Sequence, residues 1–176
     1  MRYIRFLKTP RLTPEKGTKK INVYCLITIT SDLGDSTLPY DANLVAELIS
    51  PERDFQGDEI LASHSINWTA DKRSLAITLP LKQWHTKGPL RVRIGVAPRA
   101  AFDSFSSLSG SDASGPAIVS AWSAEFNAEG GRGEAVKLVE RRFKIGDRTI
   151  RVWEETGESI ARHLWYAATS PTVTVP

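Results

Sequence analysis

The residues able to do chemistry in this 176-residue sequence are few and scattered. His64, His85 and His163 lie far apart, and none stands at metal-ligand spacing from a cysteine or carboxylate. Each therefore reads as a surface or packed side chain. The single cysteine, Cys25, sits inside the apolar run INVYCLITIT. That excludes an internal disulfide and a thiol-rich metal site, and it marks Cys25 as a small buried hydrophobe, not a nucleophile. Asp32 and Asp35 share the turn TSDLGDS, with Asp71 as a further acid. A calcium site needs carboxylates converging from more than one loop, so turn chemistry is the plainer reading. No Gly-x-Ser-x-Gly nucleophile elbow occurs. Gly130-Gly131-Arg132-Gly133 follows no strand and opens no helix, so it is a turn and not a phosphate loop. The expectation is a chain with no catalytic residue and no metal site of its own.

Charge is the stronger signal. The net charge is +3, and the excess gathers at the start, where Arg2, Arg5, Lys8, Arg11, Lys16, Lys19 and Lys20 face only Glu15. Arg91 and Arg93 alternate with apolar residues in LRVRIGV, which should place both on the wet face of a strand. Arg2, Arg5, Lys8, Arg11, Lys19, Lys20, Arg91 and Arg93 thus form a possible basic surface able to hold phosphates, and nucleic acid is the alternative partner it suggests. Trp68, Trp84, Trp122, Trp153 and Trp165 could stack on bases, but they are not interleaved with the basic residues. A solvated face is the simpler account of the charge.

The elements that position these residues follow a period of two. Ile21, Val23, Cys25, Ile27 and Ile29 fall on one side of Ile21–Thr30. Ser74–Leu81 and Leu90–Val96 alternate in the same way. Such alternation buries one face of a strand and wets the other. Weaker strands are expected at Tyr3–Leu7, Asn43–Ile49, Ile60–Ile66, Ala117–Phe126, Val136–Ile145 and Arg148–Trp153. The last two are joined by Gly146-Asp147, a two-residue turn with glycine first. Short strands split by Pro, Gly, Asp and Ser, without long intervening helices, predict an all-β fold: an antiparallel sandwich or partly open barrel.

Thr9–Lys20 and Arg99–Pro116 are rich in turn formers and predict poorly ordered stretches, the second a long loop. The β domain should run from 1 to 155. From Thr156 the character changes. Thr156 can cap a helix over Gly157–Ala168, and Ile160, Leu164, Ala167, Ala161 and Trp165 give it a broad apolar side. Such a helix is expected to be weakly held and to offer self-association through Trp165. No run of about 18 apolar residues marks a membrane span, and the N-terminus lacks the apolar core of a secretory signal. The expected location is intracellular, cytoplasmic or nuclear, which would leave the sequon Asn67-Trp68-Thr69 unmodified.

The segment Arg151–Trp165, RVWEETGESIARHLW, resembles the junction in fungal members of the family-16 group of S-adenosylmethionine-dependent methyltransferases, the lysine-methyltransferase-like proteins. There an acidic E-x-G-x-S-I-A-R-H-x-W run leads from an N-terminal β domain into the first helix of the catalytic domain. Glu155, Gly157, Ser159, Ile160, Ala161, Arg162, His163 and Trp165 match it. The opening Tyr3-Ile4-Arg5-Phe6-Leu7-Lys8-Thr9-Pro10-Arg11 and the turn Thr30–Ser36 are similar to the start of those proteins, and the likeness is loose between about 40 and 135.

The resemblance implies an accessory β domain, with 156–176 as the start of a catalytic domain. It implies S-adenosylmethionine for a full-length relative and carries over Trp165 as the one residue beside the cofactor pocket. Tyr166 departs from the family's acid at that place. The strand and acidic glycine-rich loop that grip the cofactor are not in this sequence, so the chain is expected to be inactive alone and cofactor-free. The implied partners are a protein substrate or a catalytic domain. A nucleic-acid-binding β module and a protein-interaction adaptor are the alternatives from other classes.

Overall fold

Period-two segments become strands because each can bury one face only by packing it on another sheet. The computed structural model describes residues 1–18, 20–51, 59–82, 88–110, 117–128 and 133–156, and the backbone of 166–168. The strands are β1 (Arg2–Pro14), β2 (Ile21–Thr30), β3 (Ala42–Ser50), β4 (Glu59–Trp68), β5 (Leu75–Leu81), β6 (Pro89–Val96), β7 (Asp103–Ser104), β8 (Ile118–Val119), β9 (Ala121–Ser123), β10 (Phe126–Asn127), β11 (Leu138–Ile145), β12 (Arg148–Glu155) and β13 (Tyr166–Ala168), with one short helix, α1 (Phe105–Leu108). The fold is all-β, and its sheets are partly curled into a half-barrel.

A four-stranded sheet runs β5-β2-β1-β8, and a nine-stranded sheet runs β13-β12-β11-β9-β6-β3-β4, with β10 beside β6 and β7 beside β11. One apolar core lies between them. Val23, Cys25, Ile27 and Ile29 of β2 and Ile77, Leu79 and Leu81 of β5 meet Leu44, Ala46 and Leu48 of β3 and Leu90, Val92 and Ile94 of β6. Burial pushes the Cys25 thiol up to about 12, so it stays protonated and packs as a hydrophobe. Gly146, with φ +57, makes the expected two-residue turn between β11 and β12, where Ile145 pairs with Arg148.

Several expectations change. Thr9–Pro14 is not a loose stretch: β1 continues through it as a thirteen-residue strand. The register shifts between Phe6 and Lys8 and between Lys8 and Arg11, and these irregularities accommodate Pro10, which has no N–H to give the ladder. Within Arg99–Pro116, residues 103–108 form β7 and α1, and 111–116 lie outside the described residues. Ala117–Phe126 divides into β8, β9 and β10. Two pairings, β1 with β8 and β7 with β11, are parallel. The expected C-terminal helix does not reach Ala168, because Tyr166–Ala168 pairs as β13 with Arg151–Trp153. Period 3.6 in a short apolar stretch also suits a strand, and an open sheet edge supplied the partner. Gly157–Trp165 lies outside the described residues.

Candidate functional site: two buried ion clusters

Charged residues in the middle of strands have to be paired once both faces of the sheet are covered. In the nine-stranded sheet the register sets them in a row. Ser63 of β4 pairs with Glu47 of β3, which pairs with Arg93 of β6. Arg93 pairs with Trp122 of β9, which pairs with Glu140 of β11, which pairs with Trp153 of β12. This row lies on the face away from the apolar core.

Arg91 and Arg93 are therefore not surface cations. They are 4% and 1% exposed. Arg91 donates through Nη2 to Glu140 Oε2 at 2.5 Å and through Nε to the Ser123 carbonyl at 2.8 Å. Arg93 donates through Nη1 to Glu47 Oε2 at 3.0 Å, and Arg99 reaches the same oxygen at 3.1 Å. Arg142 donates through Nε to Glu140 Oε1 at 3.0 Å. The Trp122 ring lies between two guanidiniums, with Arg93 at 5.3 Å and Arg142 at 5.1 Å from its centroid, both within cation–π range. The alternation in LRVRIGV does mark a polar face, but that face is dry because aromatic rings and carboxylates cover it.

The second cluster faces the four-stranded sheet. Arg141 is fully buried; its Nε and Nη2 both donate to Glu154 Oε1, and its Nη1 donates to the Ser120 carbonyl at 2.8 Å. Its guanidinium lies 5.8 Å from the Tyr3 ring centroid. Arg5, also over Tyr3, donates to Thr30 Oγ1 at 3.0 Å and to the Asp32 carbonyl at 2.8 Å. Burial, and then the Asp32 charge, raise the Tyr3 phenol above its ordinary value. Asp103 holds the Ser120 N–H and hydroxyl at 2.7 Å, yet burial still lifts its carboxyl above the usual range.

Burial pushes the Glu140 carboxyl up as well, but the charges and hydrogen bonds of Arg91 and Arg142 together outweigh it and hold it below 4.5. A carboxyl depressed in the folded state adds stability that is fully present above its unfolded value and lost as pH falls through the folded value. Urea unfolding should therefore show stability declining as pH drops below 4.5. In Glu140→Gln that decline should be shallower. Equal slopes in the two proteins over this range would remove Glu140 from the acid response.

The remaining expected site residues are dispersed. Arg2 donates to the Ser36 carbonyl and hydroxyl. Lys8, Arg11 and Lys20 are exposed. Lys19, Trp165, His85 and His163 lie outside the described residues, and His64 is exposed on β4. Asp35 accepts from the Ser31 hydroxyl and Asp71 from the Thr69 hydroxyl, which is turn chemistry. Glu47, Glu140, Arg141, Arg142, Glu154 and Asp103 were missed in the sequence reading. The available signal was opposite charges at interior positions of neighbouring strands, VERRF against RVWEE. No protein-family model matches the chain, and no curated protein or solved structure matches it.

Proposed function

We propose that this chain is the accessory β domain of a methyltransferase-like protein and transfers no methyl group by itself. The single observation that supports this reading is spatial. Three segments carry the resemblance, and they are distant in sequence: Tyr3–Arg11, Thr30–Ser36 and Arg151 onward. In the fold they meet at one corner. Arg2 and Arg5 bind the Thr30–Ser36 turn. Glu154 holds Arg141 against Tyr3. The Thr156 hydroxyl donates to the Phe6 carbonyl at 2.7 Å. The corner sits where the chain leaves β12, the place at which the resemblance puts the start of a catalytic domain. A base of hydrogen-bonded ion pairs there would fix the angle at which such a domain is held.

Among the described residues, none forms an acidic glycine-rich loop after a strand. These residues therefore do not fit S-adenosylmethionine. Holding a methyl donor in line with its acceptor requires such a pocket. A calorimetric titration of the chain with S-adenosylmethionine should show no complex, and a reading frame running past Pro176 should encode a strand followed by an acidic glycine-rich loop. A 1:1 complex in the micromolar range would sink the claim that the chain depends on another domain.

A further inference from the structure

The four-stranded sheet has an unusual charge pattern. Its strands carry Arg2, Arg5, Lys8 and Arg11 and no carboxylate. The carboxylates of the fold's interior, Glu47, Glu140 and Glu154, all belong to the other sheet. On its outer face the pairings set Lys8 beside Leu26 and Ala76, then Arg11 beside Tyr24 and Thr78, then Thr13 beside Asn22 and Pro80. Successive rows of a strand face lie about 7 Å apart. Tyr24 is half-buried in the middle strand, and Arg11 lies 5.6 Å from its ring centroid. Lys20 stands exposed at the end of the β1–β2 hairpin, where its carbonyl accepts from the Glu15 N–H. Among the described residues, no carboxylate lies within ion-pair distance of Lys8, Arg11 or Lys20. Glu134, the acid next to Arg11 across the backbone bridge, accepts from the Thr9 hydroxyl.

We propose that this face binds single-stranded nucleic acid, with Tyr24 as the stacking platform and Lys8, Arg11 and Lys20 as phosphate contacts. A polyanion suits the face, because among the described residues no carboxylate forms an ion pair with these cations. It should also present flat groups, because the half-buried Tyr24 ring lies among short side chains, Ala76, Thr78 and Pro80, and can take a stacked base. A strand of bases on a sugar–phosphate chain meets both conditions. The buried Arg91 and Arg93 take no part. The inference stands apart from the methyltransferase reading, since it uses neither the junction nor the cofactor.

The test is fluorescence anisotropy of a labelled twelve-nucleotide oligouridine RNA with the full chain at about 50 mM salt, where phosphate contacts are least screened. Binding should weaken with salt on a log–log slope of about −2, as three phosphate contacts to a single strand require. Tyr24→Leu should weaken it about tenfold. Lys8→Glu with Arg11→Glu should abolish it, and the milder Lys8→Gln with Arg11→Gln should reduce it. Lys144→Glu with Arg148→Glu, on the distant β11–β12 turn, should leave it unchanged. Thermal unfolding of each variant checks the fold. The proposal is overturned by absence of binding, by binding indifferent to Tyr24 and the Lys8/Arg11 pair, or by binding confined to phosphatidylserine vesicles.

Discussion

Glu140→Ala should lower the stability of the fold by about 3–5 kcal/mol, because removing one partner of a buried ion cluster leaves uncompensated charge behind. Glu140 is 1% exposed; Arg91 donates to its Oε2, and Arg142 donates to both of its carboxylate oxygens. Without it, the buried Arg91 and Arg142 guanidiniums lose their shared carboxylate next to Trp153 and Trp122. In a domain of this length the loss corresponds to a fall in melting temperature of about 10 °C or more. The cluster itself need not be net stabilising. Desolvating three charges costs much of what their attraction returns, so Arg91→Met, Glu140→Leu and Arg142→Met made together should recover most of the loss. Denaturant unfolding of the single and triple variants measures both quantities. A single variant within about 1 kcal/mol of the parent would mean the site behaves as a solvated surface pair.

The cluster depends on contacts between strands that no single stretch of sequence contains. Alternation in Ile21–Thr30, Ser74–Leu81 and Leu90–Val96 located strands and their core faces, because a side-chain period of two is a local property of the backbone. The Gly146-Asp147 turn was legible for the same reason, since the positive φ of Gly146 is set within the hairpin. What lies over the second face of a strand is a non-local fact. Arg91 and Arg93 have the spacing of solvent-facing residues, and only the pairing order β3-β6-β9-β11 brings Glu47, Trp122 and Glu140 over them. Likewise, Pro10 suggested a break, but two register shifts in β1 absorb it. Tyr24 and Arg11 are thirteen residues apart in sequence, and their meeting on the outer sheet face depends on those same shifts.

The second large effect should appear at Glu154. It accepts both the Nε and Nη2 donors of Arg141, which is fully buried. Glu154→Ala strands that guanidinium with only the Ser120 carbonyl and the Tyr3 ring, at a cost of about 3–5 kcal/mol. Arg141→Met should cost less, because Glu154 is nearer the surface than the fully buried Arg141 and rehydrates more easily. A double-mutant cycle with Arg141→Met and Glu154→Leu should return a coupling of about 1–3 kcal/mol, as expected for residues sharing one hydrogen-bonded pair. The position of the loss matters as much as its size. Tyr3 belongs to β1, and Glu154 stands two residues before Thr156, whose hydroxyl holds the Phe6 carbonyl. Breaking the pair should therefore loosen both ends of the β domain together. Hydrogen exchange of Glu154→Ala should quicken at Arg2–Phe6 and at Val152–Thr156 while β2 and β5 keep their protection. Exchange that quickens uniformly across all strands would make the pair an ordinary core contact and remove the reason for treating this corner as the base of a further domain.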